Sequence, residues 1–291
     1  MEPVRPEFVP DASLSRGDME SLQRDIAAAA VFTDDLPVDS ETVRVDERIP
    51  LDAVRDVDSG QRTLGDDTMG ESGSDEARND DAVDDRAPLI AGVDQAFVDD
   101  RAVSVVVVFR GGRVVERVHA VEPTEIPYVP GLLSFREGGA ILSAFAELDR
   151  DPDIALVDGS GRIHYREAGL ATHVGVTLDL PTVGVAKSLL CGTPRESLDG
   201  KLPVGTRIEI EADEQVETAD PGTVVGHALQ TRQFESGARH VNPLFVSPGH
   251  RVSAETTADL VERCCAGYKL PEPTRAADAW ADEVKRDADT E

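Results

Sequence analysis

Positive charge is what this chain has least of. Lys and Arg together number 29 against 57 Asp and Glu among 291 residues, a formal net charge of −28. Lysine in particular is scarce along the surface-like segments. Phosphate backbones are bound by Lys and Arg, so in dilute buffer this balance argues against a nucleic-acid partner. The acid excess is spread along the chain, however, as in proteins of salt-rich cytoplasms. At molar salt the Debye length is about 3 Å, and the acidic residues then scarcely repel one another or a phosphate. Charge therefore does not exclude a nucleic acid.

Cysteine is nearly missing too. There are three, at 191, 264 and 265. Adjacent cysteines do not readily pair, and no set has zinc-ligand spacing, so neither a disulfide framework nor a structural zinc site is expected. No run approaches about 18 consecutive apolar residues, the length of a membrane span. The start, Met1-Glu2-Pro3-Val4-Arg5-Pro6-Glu7, has no basic leader and no apolar stretch. These absences predict a soluble, cytoplasmic protein without a membrane partner.

The chain is 40% hydrophobic, enough for a full core over its middle and end. Met19, Leu22 and Ile26 recur at helical spacing, which predicts a helix within 12–33, capped by Ser15. Residues 34–86 hold 18 acidic residues against six Arg. Within them, 50–86 reads as a disordered acidic insertion, because its composition buries too little apolar surface to offset ordering. The expected organisation is an N-terminal helix and extension at 1–49, the insertion at 50–86, a catalytic domain at 87–280 and an acidic tail at 281–291 that frays.

The domain starts with Leu89-Ile90-Ala91-Gly92-Val93-Asp94, an apolar run with one acid inside it. Residues 103–109 are unbroken β-branched and apolar, as in a strand buried on both faces. Arg110-Gly111-Gly112-Arg113 is a tight hairpin turn, and 114–121 is the return strand. A proline-flanked turn, Pro127-Tyr128-Val129-Pro130, presents one aromatic. A helix over 132–148 follows, then strand 153–157, helix 169–178 and strand 182–186. Further strands are expected at 206–211 and 224–231, and a helix over 256–267. A three-stranded antiparallel meander followed by helix, strand, helix, strand predicts an α/β fold with an RNase H-like mixed sheet and flanking helices.

Sites in open α/β sheets gather at strand ends. Asp94 lies on the first strand, Asp158 ends the strand that should lie beside it, and Glu137 on the intervening helix faces the sheet. Each alone has a plain reading: Asp94 or Asp158 as a turn cap, Glu137 as a solvated helix residue. Together they offer the oxygen ligands that Mg²⁺ takes alongside water and phosphate. A cation held this way can activate water and stabilise a leaving phosphodiester oxygen. Lys187, at a neighbouring strand end, can stabilise transition-state charge. His164 can transfer a proton or bind a second metal.

The segments that carry these residues resemble the endonuclease V family. The matching stretches are Ile90-Ala91-Gly92-Val93-Asp94, PYVPGLLSFRE, DGSGRIH, GLATHVGV, PTVGVAKSLLCG, VSPGHRVS and LPEPTR. Together they span about residues 88–280. The resemblance implies an Mg²⁺-dependent endonuclease of DNA repair, with Mn²⁺ a substitute, acting as a monomer on DNA that contains deoxyinosine. It implies hydrolysis of the second phosphodiester bond 3′ to the lesion, leaving 3′-hydroxyl and 5′-phosphate ends. By position it makes Asp94, Glu137 and Asp158 the metal ligands, with His164 and Lys187 assisting. It makes Tyr128 the wedge that replaces the flipped base. Gly131, Leu133, Gly159, Gly161 and Leu190 would shape the hypoxanthine pocket, and His250 would lie close to the metals.

Two residues depart from the family pattern. Tyr165 stands where the family has Pro, and Ser160 where it has His or Gln. Neither is a metal ligand, but both flank the pocket, so base preference is less secure than the chemistry. The acidic insertion is not typical of the family either. The alternatives are an inosine-specific endoribonuclease and a non-catalytic nucleic-acid-binding module of the same fold.

Overall fold

Hydrophobic periodicity lays down the elements in chain order. The computed structural model describes residues 1–55, 57, 86–124, 126, 127, 129–236 and 239–288. Helix α1 (Arg16–Ala29) starts at Ser15, whose hydroxyl accepts the Asp18 amide. A short α2 (Leu51–Arg55) precedes the meander β1 (Leu89–Val98), β2 (Arg101–Arg110) and β3 (Arg113–Pro123). Then come α3 (Leu133–Ala146), β4 (Ile154–Asp158), α4 (Leu170–Leu178) and β5 (Thr182–Ala186). The second half adds β6 (Thr193–Pro194), β7 (Arg207–Glu211), β8 (Val224–Leu229) and β9 (Leu244–His250). Helices α5 (Ala254–Arg263) and α6 (Glu272–Ala288) close the chain.

All nine strands join one sheet in the order β3-β2-β1-β4-β5-β9-β8-β7-β6. The β1–β4 and β4–β5 pairs are parallel and the other pairs antiparallel. This is the expected RNase H-like arrangement, extended on one side by β9 to β6. Side chains alternate across a strand, which divides the core in two. On one face Ala91, Val93, Val106, Ala155 and Val157 pack under α3 and α4. On the other Ile90, Val105, Ile154, Leu156, Val183 and Val185 pack under α5 and α6. The same period of two puts Asp94 and Asp158 on the α6 face. Among the described residues no helix is long and apolar enough to cross a membrane.

Two boundaries differ from those expected. The acidic tail does not fray at 281: α6 continues to Ala288. Ala277, Trp280, Ala281, Val284 and Ala288 make a buried stripe on its inner side, so the acids of this stretch sit on an amphipathic helix. Its last residues are pinned where Arg101 donates to the Ala288 carbonyl at 2.8 Å. The first part of the expected insertion, 50–55, is also folded, with Val54 buried beside α6 and Arg55 paired with Glu283 at 2.8 Å. Apart from Val57 and Arg86, the remainder of the expected insertion lies outside the described residues.

Helix α6 can lie directly on β1 because position 92 has no side chain. A Cβ on Gly92 would sit 2.0 Å from the Pro273 carbonyl oxygen. Substituting Gly92→Ala should therefore force the start of α6 off the strand. We expect a loss of about 1–3 kcal/mol, the usual range for overpacking, read as a lower midpoint in thermal or denaturant unfolding at high salt. An unchanged midpoint would show that α6 is not anchored at this contact.

Candidate active site

The apolar runs that lead to Asp94 within β1 and to Asp158 at the end of β4 lie side by side. Val93 pairs with Val157 in parallel register, so Asp94 and Asp158 are the next pair along. A third carboxylate, Asp278, comes from α6, which crosses β1 at Gly92. One oxygen from each of Asp94, Asp158 and Asp278 lies within 4.8 Å of the others. Three half-buried carboxylates this close repel one another. Lys187, just after β5, offsets part of that: its Nζ is 2.7 Å from Asp158 and 3.7 Å from Asp278. Burial alone would lower the Lys187 pKa, but the hydrogen bond and charge of Asp158 outweigh it and raise it.

Burial, with the neighbouring charge adding to it, raises the proton affinity of two carboxylates here. Burial, then the charge of Asp158, push Asp94 up to about 8. Burial pushes Glu137 up to about 7, with the charge of Asp158 adding to it. Glu137 is thus near the cluster, but it stands outside the trio at ligand distance. It approaches from α3 on the opposite face, with its backbone carbonyl accepting from Gln95 at 2.7 Å. Three clustered carboxylates, with Asp94 among them raised in proton affinity, are a hard-cation donor set, and a divalent ion would offset their charge.

His164 is not among the carboxylates. It is buried, its Nδ1 accepts the Arg166 amide at 3.2 Å and its Nε2 donates to the Gly131 carbonyl at 3.1 Å. Burial, with Arg166 nearby, lowers its pKa to about 4, so it is neutral with both nitrogens engaged. That geometry fits a positioning residue rather than the proton donor or metal ligand expected. His250 is also displaced from its expected place. It pairs with Thr182, at the start of β5, whereas Lys187 follows that strand's far end. Its ring bonds Val31 and Asp179 and ties the segment after α1 to the sheet. The reason is strand direction: β9 runs antiparallel to β5, so its end returns to the edge away from the acids.

Beside the carboxylates, on the α3 and α4 face, lies a small cavity of about 70 Å³. Gly131, Leu133, Leu190 and His164 line it, together with Ser160 and Gly169. Gly159 and Gly161 do not line it themselves. They shape the turn that presents Ser160, where the Gly161 amide is held by the Ser247 hydroxyl at 2.9 Å. Gly131 has φ +79°, a conformation that favours glycine, and a Cβ there would lie 2.9 Å from the Tyr165 ring. The departure at 165 therefore backs the pocket wall. Tyr128 lies outside the described residues.

The N-terminal helix reaches this pocket. Gln23 on α1 is buried and donates to the Gly131 carbonyl at 2.8 Å, so that oxygen is held by Gln23 and His164 together. Gln23 in turn accepts from Arg166 at 2.8 Å, and Arg166 pairs with Glu217 at 3.0 Å. Asp278 and Gln23 are the two site residues that sequence reasoning missed. A buried-stripe reading of α6 would have placed Asp278 one position from Ala277 and over β1. Gln23 has one signal, a polar residue between Leu22 and Ile26 on the apolar side of α1.

Comparison with known proteins agrees with this arrangement. The family model of endonuclease V matches residues 72–279. Endonuclease V of the halophilic archaeon Haloarcula marismortui is 63% identical over 98% of this chain and 98% of its own. The crystal structure of endonuclease V from Streptomyces avermitilis superposes with a TM-score of 0.65, at 27% identity over 99% of each chain. That of Ciona intestinalis endonuclease V, in complex with a 24mer DNA containing an inosine followed by a ribo-adenosine, gives 0.61 at 21% identity over 94% and 98%.

The carboxylate cluster predicts a pH dependence. Asp94 goes from 3.8 to about 8 on folding, so its proton stabilises the fold fully at low pH. That contribution falls as pH rises from about 4 towards about 8. Without divalent cation, the wild-type midpoint should drop over this window more steeply than that of Asp94→Asn. A divalent cation should restore the wild type most at the alkaline end. Parallel pH profiles for the two proteins would overturn the burial of the Asp94 charge.

Proposed function

The chain belongs to the endonuclease V family, and from that premise we propose that it is an Mg²⁺-dependent nuclease of DNA repair directed at deoxyinosine. It would hydrolyse the second phosphodiester bond on the 3′ side of the lesion, leaving 3′-hydroxyl and 5′-phosphate ends. The observation that carries this reading is a small, glycine-walled pocket that shares its chain segments with a cluster of three carboxylates and a lysine: Ser160 lines it two positions after Asp158, and Leu190 three after Lys187. Such a site can hold one base while the chemistry falls on a bond next to it.

Asp94, Asp158 and Asp278 would hold the ion, with Glu137 beside them. Mg²⁺ there would supply a polarised water and neutralise charge at the scissile phosphate, and Mn²⁺ could replace it. Lys187 has the reach to pass from Asp158 to a phosphate oxygen and stabilise the charge that develops on it. His164 and Gln23 both donate to the Gly131 carbonyl and so fix the backbone that walls the pocket before a base arrives. A base outside the duplex leaves a gap, and Tyr128, in the turn before Gly131, is the aromatic we assign to fill it. The protein would act as a monomer.

Cleavage at high KCl with Mg²⁺ tests this, using duplex DNA and single-stranded RNA with and without one inosine. We expect one cut, one nucleotide beyond the inosine, in the DNA. Asp158→Ala and Asp278→Ala should each abolish it, and retained turnover in either would sink the metal assignment. Gln23→Ala should narrow the preference for inosine over adenosine, while Tyr128→Ala should weaken binding to lesion DNA more than to intact DNA. A faster cut in RNA would move the substrate from DNA to inosine-containing RNA.

A further inference from the structure

Lysine is rare enough in this chain that its placement is informative. There are four lysines, and three stand on or next to one surface. Lys187 is in the site already described. Lys269 precedes α6 and lies close enough to Lys187 for the two charges to interact. Lys201 donates to the carbonyls of Glu235 and Ser236, in the loop between β8 and β9. Arg232 and Arg239 belong to the same loop. Thr231 ties the loop to the segment before α6 by donating to the Lys269 carbonyl at 2.6 Å.

In a chain with 57 acidic residues, these cations have been kept apart from acids. Among the described residues, no ion pair joins Arg232, Arg239, Lys201 or Lys269 to a carboxylate. Instead the arginines lie over aromatic rings. Arg232 is 5.8 Å from the Tyr268 ring centre and 5.7 Å from that of Phe234, and Arg239 is 5.0 Å from Phe234. A guanidinium held over a ring keeps its edge free to donate to an anion.

Strand direction puts this surface at the working edge of the sheet. β5 and β8 are each antiparallel to β9, so they run the same way. The loop that follows β8 therefore emerges at the edge where Asp94, Asp158 and Lys187 lie. It does so on the α5 and α6 side, whereas the pocket opens on the α3 and α4 side. A strand with one base in the pocket and its next phosphates at the carboxylates has this loop at the same sheet edge, on the side away from the pocket.

We propose that Arg232, Arg239 and Lys269 bind the backbone phosphates of the substrate strand on the 3′ side of the cut. The inference rests on the proposed reading, in which the base in the pocket lies 5′ to the broken bond. It assigns a role to residues outside both the pocket and the carboxylate cluster. It also explains why, among the described residues of an acidic chain, these cations are in no ion pair.

The test is kcat/KM for inosine DNA at fixed molar KCl, with folding of each variant checked by circular dichroism. The double variant Arg232→Ala, Lys269→Ala should lose about tenfold on a strand with about ten nucleotides beyond the cut, as for two exposed ion contacts. Trimming that 3′ flank to about two nucleotides should nearly remove the difference from wild type. Trimming the 5′ flank should leave it. The charge-conserving pair Arg232→Lys, Lys269→Arg should retain most of the wild-type value. No loss on the long strand, or the same loss whichever flank is trimmed, would overturn the proposal. Absence of inosine-directed cutting by the wild type would instead overturn the reading beneath it.

Discussion

Three carboxylates held within 4.8 Å of one another are the constraint on which the rest of this structure depends. Like charges at that spacing favour separation, so the fold must hold them. It does so from three directions. β1 and β4 bring Asp94 and Asp158 together through parallel pairing, and neither strand can slip, because a shift of one residue would turn its acid to the other face. α6 brings Asp278, and it can approach only because Gly92 leaves room for the Pro273 carbonyl. Lys187 and the raised proton affinity of Asp94 and Glu137 absorb what repulsion is left. Stability has been given up here to keep a charge deficit that a cation can fill.

The pocket follows a different rule, rigidity rather than charge. Part of its wall is the backbone at Gly131, which has no rotamers to set. Two side chains from distant parts of the chain, Gln23 and His164, hold it. Burial keeps His164 neutral, so the hydrogen bond it donates does not change over the pH range in which the carboxylates titrate. The hold of His164 on the pocket wall therefore does not depend on the protons of the carboxylates. The N-terminal helix, which lies upstream of the residues that the family model matches, is in this way part of the site.

Asp94, Asp158 and Lys187 are legible in the sequence because each ends an apolar strand run, and period-two alternation then fixes its face. The meander, the two crossovers and their helices follow from the same periodicity. Asp278 is not legible, because the acids around it make α6 look like a solvated tail, and only the stripe of Ala277, Trp280, Ala281 and Val284 gives the helix away. His250 is misplaced by sequence reasoning because motif proximity says nothing about strand direction. Glu137 is half legible: its helix faces the sheet as expected, but from the other side of it. Long-range geometry, which no local pattern encodes, separates the residues that were found from those that were not.

The charge of the chain bears on how such a site can take a polyanion at all. At molar salt about 3 Å of solution screens a charge, so most of the net −28, which is spread along the chain, is not felt at the site. The same screening removes long-range steering, and a phosphate is attracted only by a cation that touches it. Under that condition many scattered basic residues are of little use, and a few placed in direct contact suffice. Cations held over aromatic rings keep attraction that salt weakens less, because part of it comes from contact with the ring and from lost water. Scarcity of lysine and the placement of Lys187 and Lys269 close to one another at the working edge are then both consistent with one condition, molar salt.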